Sequence, residues 1–156
     1  MRPNCNTVKD FYLFGSNELK NNHITNYKKE SEWILRYILN KDSSWFICNS
    51  NYLLDISQAA RFIDCINKRK DHIPLQLILG FSTFYGRDFK IFPDVFIPRP
   101  ETEQIIDMLM GCNYNHALDI CSGSGVLAIS LYLESIVSSV EAIDVSSICL
   151  ENISEN

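Results

Sequence analysis

Asp119-Ile-Cys-Ser-Gly-Ser-Gly125 lies between an apolar strand-like run and an apolar helix-like run, and it constrains this chain more than any other segment. His116–Cys121 (HALDIC) reads as a buried strand and residues 122–125 (SGSG) as a tight loop. Val126–Leu133 (VLAISLYL) reads as a helix and Ser138–Asp144 (SSVEAID) as a second short strand. Ser146 onward starts another helix, capped by Ser146 or Ser147. Strand, glycine loop, helix and strand form one βαβ unit, a right-handed crossover between parallel strands. Gly123 and Gly125 have no Cβ, so the backbone can turn sharply there and a ligand can lie against it.

Asp144 follows Gly125 by nineteen residues, close to the roughly 20 at which an acidic side chain can take both ribose hydroxyls of a bound nucleoside. The run differs from a dinucleotide fingerprint because no third glycine follows, and from a phosphate-cradling loop because no Lys precedes a Ser or Thr. Asp119, two positions before the small residue Cys121, suits a cationic nucleoside such as S-adenosylmethionine. The competing reading is that Asp119 caps a backbone turn and the glycines serve packing alone.

Upstream, residues 7–70 read as helical. Ser31–Leu39 places Ile34, Leu35, Ile38 and Leu39 on one stripe. Asp55–Lys70 places Ile56, Ala59, Ala60, Ile63 and Ile66 on another, with Asp55 or Ser57 as cap and Lys68, Arg69 and Lys70 at the C-terminal dipole. That basic cluster is read as a charged helix end, not as a nucleic-acid patch. Trp33 and Trp45 are expected to be core or half-buried packing residues. The pattern changes at Pro74. Residues 82–97 suggest a short hairpin around Gly86, ended by Pro93. Residues 97–100 (IPRP) form an extended link, and Glu101–Met110 a helix with acidic residues in its first turn.

Fourteen Lys and Arg against nineteen Asp and Glu leave a net charge of −5, which disfavours direct nucleic-acid binding because no cation excess exists to release counterions. The first 22 residues hold no apolar core of the kind a secretory signal needs, and no apolar run anywhere is long enough for a membrane-spanning helix. Cys5, Cys48, Cys65, Cys112, Cys121 and Cys149 are widely spaced with no CxxC pair, so reduced thiols in a cytoplasm are expected, and no metal site. His23, His72 and His116 are read as surface or packing residues.

The chain resembles the HemK/PrmC family, the peptide chain release factor glutamine methyltransferases, on three blocks. Pro74-Leu-Gln-Leu-Ile-Leu-Gly80 with Phe84-Tyr-Gly86 and Phe89 is similar to the family's PLQYIxG…FxGxxF stretch. Ile97-Pro-Arg-Pro-Glu-Thr-Glu103 is its most distinctive signature. Asp119–Gly125 with Ala142-Ile-Asp144 is similar to its cofactor-binding part. The likeness covers most of residues 30–153. It implies methyl transfer from S-adenosylmethionine to the side-chain amide nitrogen of the glutamine in the GGQ motif of a class I release factor. The cofactor-binding residues it implies are Asp119, Cys121, Ser122, Gly123, Ser124, Gly125 and Asp144. Phe96, Pro98, Arg99 and Glu101 would shape the substrate pocket rim between the two domains. The bland alternative for that segment is a linker stiffened by two prolines, with Glu101 and Glu103 favouring a helix start.

The implied fold class is α/β. It has an N-terminal helical bundle over residues 1–73, a linker and β-hairpin over 74–100, and over 101–156 the first βαβ unit of a Rossmann-like class I methyltransferase domain with an incomplete sheet. In the family an Asn-Pro-Pro-Tyr motif presents the acceptors that orient the substrate amide. This sequence contains no such run, so no catalytic residue is assigned, and a chain truncated inside its catalytic domain, inactive alone, is expected. The sequence does not set the oligomeric state, though a monomer is expected. The alternatives are a catalytically dead remnant that at most binds a partner through its helical domain, and a disabled product of a shortened reading frame. The last third is expected to expose apolar surface and an unpaired strand edge.

Overall fold

The computed structural model describes residues 6–156. The chain divides into two compact units, one ending at Leu79 and the other comprising Gly80–Asn156.

The first unit is helical, with α1 (Val8–Asn21), α2 (Tyr27–Leu39), α3 (Ser43–Cys48), α4 (Ile56–Lys70) and α5 (Leu75–Leu79). Reciprocal capping boxes start two of these: Thr7 with Asp10 at α1, and Asp55 with Gln58 at α4. Each satisfies amides that the first helical turn leaves unpaired, worth about 1 kcal/mol. Asn40 ends α2 in the left-handed conformation at φ 52°.

The core forms where α1, α2 and α4 meet, around buried Phe11, Leu19, Ile34, Leu35, Phe62 and Ile66. The rings of Phe11 and Phe62 pack edge-on, 5.6 Å apart. Gly15 permits the crossing, because a Cβ there would sit 2.6 Å from both Phe62 Cζ and Ser31 Oγ.

Two sequence expectations need correcting here. The buried face of α4 is centred on Phe62 and Ile66, and Ile56 is 85% exposed. Phe62 supplies the large ring that fills the crossing, while Ile56 opens the helix at its first residue. Trp33 is 48% exposed and is not a core residue, whereas Trp45 is half-buried and packs edge-on against Tyr52 at 5.1 Å. The basic end of α4 is neutralised in place. Lys68 pairs with Asp64 at 2.8 Å, Arg69 with Glu30 at 2.5 Å and Lys70 with Glu18 at 2.5 Å.

The second unit holds two separate two-stranded sheets. β1 (Phe81–Phe84) and β2 (Arg87–Lys90) pair antiparallel, with Phe84 opposite Arg87. Tyr85 and Gly86 join them at φ 47° and 75°, the two left-handed positions of a tight hairpin turn. A single 3-10 turn, Pro100–Thr102, leads into α6 (Glu103–Leu109). β3 (Ala117–Ile120) and β4 (Val140–Ile143) pair parallel, with Asp119 opposite Ala142, and α7 (Val126–Leu133) connects them. α8 (Ser147–Glu155) follows.

Phe84, Phe89, Ile106, Val126, Leu131, Ile136 and Val137 form this unit's core, joining the hairpin to α6 and α7. On β3 and β4 one face, bearing Ala117, Asp119, Val140 and Ala142, is half-buried. The other is open, with Ile120 64% exposed and Val145 beyond β4 fully exposed.

Candidate functional site

Loop 121–125 begins where β3 stops. Every second residue takes positive φ: Cys121 at 62°, Gly123 at 56° and Gly125 at 77°. Cys121 holds this conformation without glycine's freedom, a local strain of about 1–2 kcal/mol. Gly125 is doubly required. A Cβ there would be left-handed and would meet Ile153 Cγ1 at 2.9 Å. Gly123 differs, for a Cβ on it would find nothing within 4 Å. The backbone at Gly123 therefore borders open space, where a ligand can approach.

Hydrogen bonds fix the loop. Ser122 donates to the Ile143 carbonyl through both its amide and its hydroxyl, each at 3.1 Å. Gly125 N–H closes back on the Ser122 carbonyl at 2.8 Å. Asp144 accepts the Gly123 amide at Oδ2 (2.9 Å) and the Ser146 amide at Oδ1 (3.0 Å). The start of α8 is thus held by Asp144, and the hydroxyl of its cap residue Ser146 makes no capping bond, a correction to the capping role expected of Ser146 or Ser147.

The two carboxylates have opposite electrostatics. The amides of Ser146 and Gly123 hold the Asp144 carboxyl below its usual range. Burial pushes Asp119 up, a hydrogen bond donated by the Ala128 backbone amide opposes the rise, and the Asp144 charge adds to it. Asp119 is therefore a partly desolvated carboxylate, and Asp144 one whose charge the surrounding amides favour. The Cys149 thiol and the Val145 amide add weaker support to the Asp144 carboxylate.

The fold thus brings Asp119, Cys121, Ser122, Gly123, Ser124, Gly125 and Asp144 to one end of the β3/β4 pair. Phe96, Pro98, Arg99 and Glu101 form a separate group. The Arg99 guanidinium lies over the exposed Phe96 ring, 5.4 Å from its centroid, Pro98 is half-buried, and Glu101 is exposed in the 3-10 turn. Among the described residues no hydrogen bond or ion pair joins this group to the loop.

Three contacts were not legible beforehand. Glu103 accepts the Tyr85 amide at 2.9 Å and so steadies the hairpin turn. Asn152 and Asn156 bind the main chain of Lys90–Phe92. The only signal for the asparagines was two amides at the inward spacing of an otherwise apolar helix stripe, Cys149, Asn152, Ile153 and Asn156.

His116 sits at the opposite end of β3. Its Nδ1 is 3.0 Å from Ser139 Oγ and its Nε2 is 3.8 Å from Glu141. Ser139 spends its proton on the Asn115 carbonyl, so the trio is a surface network and not an activated nucleophile. Cys48, Cys65, Cys112, Cys121 and Cys149 are free thiols, while Cys5 lies outside the described residues. No helix among the described residues is long and apolar enough to cross a membrane.

Residues 12–80 match the family described as the PrmC N-terminal domain. The chain is 30% identical over 128 residues to a release factor glutamine methyltransferase of Clostridium botulinum, covering 80% of this chain and 45% of that protein. A protein of the same name from Mycoplasma mycoides is 35% identical over 134 residues, covering 83% and 48%. A bifunctional methyltransferase of Rickettsia bellii is 26% identical over 175 residues, covering 93% and 32%. The chain spans somewhat less than half the length of the release factor glutamine methyltransferases it matches. Residues 12–80 thus carry a PrmC N-terminal domain, and most of the chain is similar to part of the release factor glutamine methyltransferases.

Proposed function

We propose that this chain binds S-adenosylmethionine at the glycine loop and contributes that part of the site to a methyl transfer whose acceptor is the side-chain amide nitrogen of a glutamine in a class I peptide chain release factor. The observation that carries the reading is the convergence of Asp144, the Gly123 backbone and Asp119 beside open space. Those residues fit such a nucleoside. Asp144 offers an ionised acceptor for the ribose hydroxyls, Gly123 leaves the backbone uncovered, and Asp119 offers a poorly solvated carboxylate to a positively charged ligand. The cofactor, when bound, supplies a methyl group activated by a sulfonium.

The names of the relatives support the substrate class. A glutamine amide nitrogen is a weak nucleophile, so its hydrogens must be held in acceptors while the methyl carbon is brought in line. No residue of this sequence is assigned that orienting task. Phe96 and Arg99 are proposed to border the substrate side. A reduced, cytoplasmic setting and a monomeric state accompany this reading.

The test is equilibrium dialysis of the full chain against labelled S-adenosylmethionine, followed by addition of a release factor. Uptake of one equivalent that Asp144→Ala abolishes supports the reading, and absence of uptake contradicts it. Label transferred to the glutamine by this chain alone would show that the orienting groups are present after all.

A further inference from the structure

Asn152 is fully buried on α8. Its Oδ1 accepts the Phe92 amide at 2.9 Å and its Nδ2 donates to the Lys90 carbonyl at 2.8 Å. One residue of a neighbouring parallel strand would make the same two bonds astride Ile91. The side-chain amide thus stands in for a strand at the outer edge of the hairpin exit. One turn on, Asn156 Oδ1 accepts the Lys90 amide at 2.7 Å. Its Nδ2 lies 3.1 Å from both the Lys90 carbonyl and the Ser124 carbonyl. Ser124 belongs to the glycine loop, and Phe92 opens the run that carries Phe96 and Arg99. The bonds form a continuous path from Ser124 through Asn156, Lys90 and Asn152 to Phe92.

We propose that Asn152 and Asn156 are positioning residues that clasp the glycine loop to the hairpin exit, so that occupancy of the loop is transmitted to the segment bearing Phe96 and Arg99. The transmission rests on the proposed nucleoside reading of the loop, whereas the clasp does not. Asparagine suits the task because a primary amide donates and accepts at once. A hydrocarbon at 152 would leave the Phe92 amide without its acceptor and the Lys90 carbonyl with Asn156 Nδ2 alone.

The test is amide exchange and resonance mapping on the full chain, with S-adenosylmethionine as the probe. Asn156→Ala is the main variant because its side chain is exposed, so the fold should survive. Without ligand, exchange at the Lys90 amide should rise roughly fivefold or more, as expected for one lost hydrogen bond. The Gly125 amide, which shares a peptide group with the Ser124 carbonyl, should shift, and signals of α1–α4 should stay in place. With ligand, Gly123, Gly125, Lys90 and Phe92 should all respond in the parent. In Asn156→Ala the loop should still respond, while the response at Lys90 and Phe92 falls by at least half.

Unchanged Gly125 in the variant, or equal responses at Lys90 and Phe92 in both proteins, overturns the proposal. A parent loop that does not respond refutes the nucleoside reading and the transmission with it, and the ligand-free comparison then decides the clasp. Asn152→Asp is the second variant. It should shift the Ile91 amide, which shares the Lys90 peptide group, and keep Phe92 slow to exchange. Fast Phe92 exchange contradicts the assignment.

Discussion

Gly123 donates its amide to the Asp144 carboxylate at 2.9 Å, joining the first turn after β3 to the end of β4 across twenty-one positions. The same carboxylate holds the start of α8 through Ser146. One side chain therefore fixes the loop and orients the helix that packs Ile153 beneath Gly125. The proposed nucleoside site is thus ordered by the chain's own hydrogen bonds, which lowers the ordering cost of binding.

Asp144 titrates below its unfolded value of 3.8 in the native chain. Between the two values the unfolded state binds more protons, so the stabilisation is complete above about 3.8 and is lost as pH falls through the native value. Thermal unfolding from neutral to acid pH should show this loss in the parent and a smaller one in Asp144→Asn, which should already melt lower at neutral pH.

Asp119 has the opposite sign. Its native value lies above 3.8 because burial disfavours the charge. Between the unfolded and native values the folded state holds the extra proton, so this group's contribution worsens as pH rises and improves as pH falls. Asp119→Asn should therefore melt higher than the parent near neutral pH, with the gap closing in acid, while losing affinity for S-adenosylmethionine. A lower melting temperature at neutral pH would contradict the burial account.

The two loop glycines should respond differently to alanine. Gly125→Ala combines left-handed strain with the 2.9 Å approach to Ile153, costing about 2–4 kcal/mol. Gly123→Ala meets no neighbour and should cost about 1–2 kcal/mol from strain alone, yet its methyl would enter the proposed ligand space. Denaturant melts with ligand titrations separate the two effects.

In the helical unit, Gly15→Ala drives a methyl to 2.6 Å from Phe62 and Ser31 and should destabilise by about 1–3 kcal/mol. Adding Phe62→Leu should recover part of that loss, because it removes the ring tip that clashes. Two independent, additive losses in a double-mutant cycle would contradict the proposed crossing contact.

The βαβ unit was legible because its information is local: alternation in the strands, an apolar helix, and glycines where the chain turns. The cap at Asp55 was legible for the same reason. The inward face of α4 was not, since Ile56 and Phe62 both fit an apolar helical stripe and only the crossing with α1 and α2 selects Phe62. The strand-like role of Asn152 was hidden because its partners, Lys90 and Phe92, lie about sixty positions away. The support that Glu103 gives the hairpin turn was hidden in the same way, its partner Tyr85 being eighteen positions distant. Asp144 could be placed by spacing, and its bond to Ser146 is local, two positions on, whereas its grip on Gly123 depends on the pairing of β3 with β4.

Resonance titration of the full chain with S-adenosylmethionine tests the central claim most directly. The account predicts saturable shifts centred on the amides of Gly123, Gly125 and Ser146, absent in Asp144→Ala. Shifts confined to other parts of the chain, or the same titration in the variant as in the parent, would contradict it.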